Sequence, residues 1–94
     1  MRILWTEEAV DDLAEILAYY AAKVSPRTAA AVERRIIAQV EGLLPFPERI
    51  RQSDRIPQAR ELVVKGLPYV VFLKLTPDAI VVLNVVHGAR MFPP

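Results

Sequence analysis

Residues 60 to 86 read RELVVKGLPYVVFLKLTPDAIVVLNVV, and in this stretch three apolar runs alternate with two turn-forming segments. The runs ELVV, YVVFLKL and AIVVLNVV are rich in β-branched and aromatic residues, which favour strands. KGLP and TPD between them are typical of tight turns, and Gly66 is expected to supply a positive φ in the first. Three consecutive strands with short connections predict an antiparallel meander.

The last of these runs is apolar at both alternating sets of positions. An antiparallel sheet with one wet face would instead alternate apolar and polar residues. We expect this run to be the central strand, covered on one face by helices and on the other by a partner chain. The alternative is a curved sheet that folds over itself. Ile80, Val82 and Val86 are predicted on one face, Val81, Leu83 and Val85 on the other, and Asn84 is the only polar interruption.

Two helices are predicted upstream of the strands. Thr6 is a capping hydroxyl, and an apolar stripe at helical spacing follows it, which predicts a helix over residues 7–23. Ser25 and Pro26 form a second start signal. The second stripe runs from Ala29 to Leu43, before prolines that cannot continue a helix. Helices joined by about two residues must run antiparallel, as a helical hairpin.

The remaining segments complete the predicted architecture. RILW, residues 2–5, is expected to add a fourth strand, and the proline-rich residues 45–58 are expected to be a loop. Trp5 and Tyr69 are expected to pack in the core or between helices and sheet. The fold class is therefore α+β, in a single domain over residues 1–94. The N-terminal antiparallel helical hairpin should pack on one face of a three- to four-stranded antiparallel sheet.

Composition limits the classes of function. The 94 residues include no cysteine and one histidine, so a thiolate or multi-histidine metal site is not expected, and no cofactor is implied. The net charge of +1 gives no general attraction to nucleic acid, so direct DNA binding is not expected. No apolar run could span a membrane or act as a signal peptide, so we expect a cytoplasmic protein. The 53% hydrophobic content indicates a surface that meets a partner.

Three motifs resemble the RelE/ParE superfamily of toxins from type II toxin–antitoxin modules. They are WTEEAVDDL at residues 5–13, RELVVKGLPYVV at 60–71 and IVVLNVVHGARMFP at 80–93. The resemblance implies a cognate antitoxin as partner and, for the ParE-like toxins that it matches best, a role in plasmid stabilisation. ParE-like members poison DNA gyrase, whereas RelE-like members cut messenger RNA on the ribosome with basic residues and a C-terminal tyrosine or histidine.

The end of the chain favours the ParE-like branch. Cleaving RNA through its 2′-hydroxyl needs an acid, a base and cations around the phosphorane. The residues after Arg90 are Met91, Phe92, Pro93 and Pro94, none of which can transfer a proton. We therefore expect a toxin that inhibits gyrase by binding rather than an enzyme. The alternatives are a RelE-like endoribonuclease and a non-toxic member that only binds its antitoxin.

The candidate site residues are mostly basic. We expect the target to be bound by Arg55, Arg60, Lys65, Arg90 and Phe92, and a nuclease would use Arg60, Lys65, His87 and Arg90. His87 could be an acid or base but more commonly such a histidine packs at a sheet edge. Arg60 and Arg90 either clamp a phosphate or pair with acids at that edge. Gly88 is expected to have a positive φ, and the antitoxin-binding surface is left unassigned.

Overall fold

The computed structural model describes residues 1–88, and it contains two helices and four strands in these residues. The predicted helical hairpin and the predicted meander are both present. In chain order the elements are β1 (Arg2–Trp5), α1 (Glu7–Lys23), α2 (Pro26–Glu41), a 3-10 turn (Pro47–Arg49), β2 (Arg60–Val63), β3 (Tyr69–Leu75) and β4 (Ala79–His87). Neither helix is long and apolar enough to cross a membrane.

Both helices begin at the capping residues that the sequence predicts. The Thr6 hydroxyl accepts the Ala9 N–H at 3.1 Å, and the Ser25 hydroxyl accepts the Thr28 N–H at 3.0 Å. α2 ends at Glu41, earlier than the predicted stripe through Leu43, because the chain turns after Gly42 at the C-cap. Leu43 and Leu44 nevertheless pack against the core from this turn.

The sheet has the strand order β1-β4-β3-β2, which places β4 inside as predicted. β2 and β4 each run antiparallel to β3, but β1 runs parallel to β4, from Arg2 opposite Ala79 to Trp5 opposite Val82. The prediction of a purely antiparallel sheet is therefore wrong, and the sheet is mixed. The chain path accounts for this parallel direction. α1 follows directly after β1, and its residues contact the edge of β4 next to the part that pairs with β1.

Beyond the end of β1, Thr6 and Asp12 form the hydrogen bonds that a neighbouring strand would otherwise form with the edge of β4. The Thr6 N–H donates to the Val82 carbonyl at 3.0 Å, and its hydroxyl donates to the Leu83 carbonyl at 3.0 Å. The Asp12 carboxylate accepts the Val85 N–H at 2.9 Å and the Asn84 side-chain amide at 3.3 Å. These bonds satisfy backbone groups that would otherwise be unpaired at a partly buried edge.

A β-bulge at Leu83 changes which residues of β4 face the helices. Phe72 lies opposite Asn84 and Leu73 opposite Val82, so Leu83 has no partner on β3. Ile80, Val82 and Val85 consequently share the helix-side core. The predicted grouping of Val82 with Val86, and of Val85 with Val81, is wrong because strict alternation does not hold across a bulge.

The core lies between the helices and the sheet. Trp5 and Tyr69 pack there as predicted, and the most deeply buried side chains are Ile36, Val40, Val64, Val71, Leu73, Ile80 and Val82. On the other face of the sheet Val70 and Phe72 are also buried, whereas Leu4 and Val63 are 40% and 58% exposed. The sequence predicts that only a partner chain covers the second face of the sheet. This prediction is wrong in the middle of the sheet, where residues of this chain already bury Val70 and Phe72.

Replacing Asp12 with alanine should show how much the hydrogen bonds at the edge of β4 contribute to stability. We expect Asp12→Ala to lower the free energy of unfolding by about 1–3 kcal/mol, because the Val85 N–H loses its charged acceptor in a partly buried place. The matched control is Asp11→Ala, at an exposed position one residue away, which should change it by less than about 0.5 kcal/mol. Urea unfolding measures both, and equal losses would contradict this role for Asp12.

Candidate functional site

The buried carboxylate of Glu61 organises the loop beside β2. Glu61 is 3% exposed, and both of its oxygens accept hydrogen bonds from Arg55 Nη1, at 3.3 and 3.2 Å. Arg51 Nε lies 3.9 Å from the same group. A buried carboxylate is costly unless it is paired, so Arg55 neutralises Glu61 and holds the loop against the sheet. The predicted target-binding role of Arg55 would have to coexist with this ion pair.

Arg60 is also engaged in a structural contact. Its Nη1 donates to the backbone carbonyl of Ile50 at 2.8 Å and to that of Glu48 at 3.3 Å. Alongside it, the Glu61 N–H donates to the Arg51 carbonyl at 2.9 Å, so the loop pairs with the outer edge of β2. Among the described residues Arg60 pairs with backbone carbonyls rather than with an acid, and its predicted phosphate-binding role stays a prediction. Arg60 ties the 3-10 turn and the following residues to β2.

The turn between β2 and β3 presents Lys65 to solvent and is held by α2. Gln39 accepts the Lys65 N–H at 2.8 Å and donates to the Lys65 carbonyl at 3.1 Å. Gly66 has a φ of 82°, as predicted, and a Cβ there would collide with the Arg35 guanidinium. Gly88 does not have a positive φ, so that prediction is wrong; its N–H instead donates to the Pro68 carbonyl at 2.7 Å.

His87 ends β4 in a row of aromatic side chains. Its ring lies edge-on to Tyr69, with centroids 5.6 Å apart, and Tyr69 in turn lies edge-on to Tyr20 at 6.5 Å. The Tyr69 hydroxyl is 3.5 Å from the Tyr20 hydroxyl. Aromatic pairs in this geometry are stabilising, so the expected packing role of His87 is confirmed.

The candidate residues do not converge on one point within residues 1–88. Arg60 lies opposite Leu73 and His87 lies opposite Tyr69, which are four residues apart on β3. At the usual rise of a strand this separates their backbones by about 13 Å. Lys65 lies at the His87 end of β2, whereas Arg90 and Phe92 lie outside the described residues. Among the described candidates, His87 and Lys65 therefore lie towards one end of the sheet, and Arg60 lies apart from them.

Sequence reasoning missed three residues that position this surface. They are Asp12, which bonds to the Val85 N–H, Gln39, which bonds to Lys65, and Glu61, which pairs with Arg55. For Glu61 a signal existed, because it is the only carboxylate in its apolar run. For Asp12 and Gln39 the sequence contains no local signal, since their partners are distant in the chain.

Removing the Glu61 carboxylate should destabilise the fold even though an ion pair is often weak. We expect Glu61→Ala to lower the free energy of unfolding by about 1–2 kcal/mol, because the site is buried and Arg55 loses both acceptors. The Arg55 side chain is 34% exposed and can regain some hydration, which limits the loss. The control is Asp54→Ala, whose ion pair with Arg51 is exposed and should be worth less than about 0.5 kcal/mol. Equal effects on chemical unfolding would show that burial of Glu61 is unimportant.

Comparison with known proteins agrees with the motifs. The model of the family described as "ParE toxin of type II toxin-antitoxin system, parDE" matches residues 3–92. A relative from Sinorhizobium fredii strain NGR234, named "Putative toxin Y4kP", is 37% identical over 92 residues, which cover 98% of this chain and 93% of that protein.

A solved structure with a similar fold supports the same assignment. It is titled "Chromosomal ParDE TA system from P. aeruginosa", has a TM-score of 0.84 and 25% identity, and the match covers 93% of this chain and 95% of that one. The family resemblance inferred from residues 5–13, 60–71 and 80–93 is confirmed. The protein belongs to the ParE toxin family of type II toxin–antitoxin systems.

Proposed function

We propose that this protein is a cytoplasmic toxin that inhibits DNA gyrase by binding and that a cognate antitoxin neutralises it. The observation that carries the proposal is the separation of His87 from Arg60 in a ParE-family fold. His87 packs edge-on against Tyr69, and Arg60 bonds to backbone carbonyls about 13 Å along the sheet. Met91, Phe92, Pro93 and Pro94 have no side chain that could transfer a proton.

The chemistry of RNA cleavage makes the nuclease alternative less suitable for this chain. A base must remove the 2′-hydroxyl proton while cations stabilise charge on the same phosphate, so these groups must lie within a few ångströms of one another. Lys65 is exposed at the end of the sheet where His87 lies, but the Arg60 guanidinium bonds to the carbonyls of Glu48 and Ile50. Binding to a protein target makes no such demand on the position of acid and base.

An antitoxin partner would cover apolar side chains that are exposed in this chain. Leu4 and Val63 are exposed on the second face of the sheet, and Phe46 is 61% exposed beneath the Arg49 guanidinium. Antitoxin segments that bind as an added strand or a docked helix would remove such side chains from water. The similar ParDE structure supports this partner, and plasmid stabilisation would follow if the two genes lie on a plasmid.

The gyrase proposal predicts a specific biochemical effect. Purified protein should block ATP-dependent supercoiling by purified gyrase, induction should arrest growth, and co-expressed antitoxin should restore both. The measurement is supercoiling on agarose gels, with transcript mapping in the induced cells. Growth arrest with normal supercoiling and cleaved transcripts would replace this proposal with the nuclease. Tight antitoxin binding without growth arrest would instead indicate a non-toxic member.

Single substitutions should locate the surface that meets gyrase. We expect Arg90→Ala and Phe92→Ala to weaken inhibition by about tenfold or more, because charged and aromatic anchors dominate protein interfaces. Lys65→Glu should weaken it as well, and Lys74→Glu, at another exposed lysine on the sheet, is its matched control. His87→Gln should keep inhibition within about threefold if the protein stays folded. Inhibition lost with His87→Gln but unchanged with Arg90→Ala and Phe92→Ala would contradict this placement.

A further inference from the structure

The outward side of α2 carries charges in a regular line. Arg27, Arg34 and Glu41 recur at seven-residue intervals, so they lie nearly one above another along the helix. All three are exposed, and they lie opposite the fully buried Ile36, which faces the core. The small, exposed Ala30 and Ala38 lie next to the line, and the exposed Arg35 follows Arg34.

The outward side of α1 continues this surface. Val10 is 51% exposed, and Ala14 and Ala18 follow it at intervals of one turn, also exposed. Together with the α2 line these residues form the surface that we name the hairpin face. Between its charged residues it presents the small side chains of Ala14, Ala18, Ala30 and Ala38, which allow another helix to approach closely.

The two ends of the helical hairpin have opposite charge. At the end where α1 begins and α2 ends, the exposed charges include Glu7, Asp11 and Glu41, and at the tip they include Lys23 and Arg27. None of these five takes part in an ion pair within residues 1–88. Glu7 and Lys23 match the dipole of α1, but Arg27 at the start of α2 and Glu41 at its end oppose the dipole of that helix, so stability of the isolated chain does not account for Arg27 and Glu41.

This pattern is self-complementary about a single two-fold axis. The number of residues from Glu15 to the end of α1 at Lys23 equals the number from the start of α2 at Pro26 to Arg34. Because the two helices are antiparallel and joined at these ends, their midpoints lie level with each other. A two-fold axis at the level of these midpoints, parallel to the hairpin face and perpendicular to the helices, places each helix antiparallel to the same helix of the second copy. Arg27 then lies opposite Glu41 of the second copy, and Ala30 lies opposite Ala38 of the second copy, each twice in the dimer.

We propose that the hairpin face binds a second copy of this chain, with the two helical hairpins antiparallel and unlike charges opposed at both ends. The hairpin face is about 25 Å long and about 20 Å wide, from helix length and helix spacing. Two such faces bury about 1,000 Å² in total, near the lower limit for a specific interface. The dimer is therefore weak. It does not depend on the proposed inhibition of gyrase.

Like charges at the helix midpoints oppose the dimer, since the exposed Glu15 of α1 and Arg34 of α2 each lie near the same residue of the second copy. Arg34 lies at the midpoint of α2, so it meets Arg34 of the second copy near the axis. Its long side chain can turn outward so that the guanidinium stays in water, but like charges remain close. Removing this side chain should strengthen association, whereas removal of a charge from an unrelated surface would leave it unchanged.

Sedimentation equilibrium of the purified full chain over about 1 μM to 1 mM tests the proposal. Arg27→Glu and Glu41→Arg should each weaken association by about tenfold or more, because each creates two like-charge contacts. The double variant Arg27→Glu with Glu41→Arg should restore it, which also shows that the single variants lose contacts rather than fold. Arg34→Ala should tighten association about threefold, and rising salt should weaken the wild-type dimer.

The control is Lys74→Glu, which reverses a charge on the sheet and should leave association unchanged. A monomer throughout the concentration range would overturn the proposal. So would association that survives both single reversals, because the contact would then lie on another surface. Failure of the double variant to associate, although folded by circular dichroism, would overturn the antiparallel arrangement.

Discussion

The edge of β4 beyond Val82 is the constraint on which the rest of the fold depends. β1 is too short to pair with the whole of β4, and the uncovered backbone would be unsatisfied beneath α1. Thr6 and Asp12 supply the missing partners, since they bond to the backbone of Leu83 and Val85. The same bonds fix where α1 lies on the sheet. α2, which follows after only two residues, then has to cover the remaining core.

Polar side chains organise the opposite edge in a similar way. Glu61 is buried with Arg55, Arg60 bonds to loop carbonyls, and Gln39 bonds to both backbone groups of Lys65. Several of the most conspicuous charges in the sequence therefore stabilise the fold. A cation that serves this purpose is a poor marker of a target-binding site, because its side chain is already engaged. The exposed charges at the two ends of the helical hairpin form no ion pair within residues 1–88, and this difference separates the two surfaces.

Membership of the ParE family describes the scaffold more directly than the target. The β-sheet and helical hairpin are needed for any member to fold, whereas target choice depends on a few side chains at the surface. In this chain the histidine is part of an aromatic row with Tyr69 and Tyr20. The proposed function is accordingly recognition of another protein's surface. Charge and exposed apolar area matter more for such recognition than a catalytic acid or base does.

The sequence by itself determined the two helices, their caps, the three-strand meander, the glycine turn at Gly66 and the family. These features depend on local periodicity, capping and turn chemistry, which are written in neighbouring residues. Only the tertiary structure decided the parallel direction of β1, the bulge at Leu83 and the roles of Asp12 and Glu61. Each of these depends on which backbone groups meet at a sheet edge, and that is set by contacts between residues far apart in the chain.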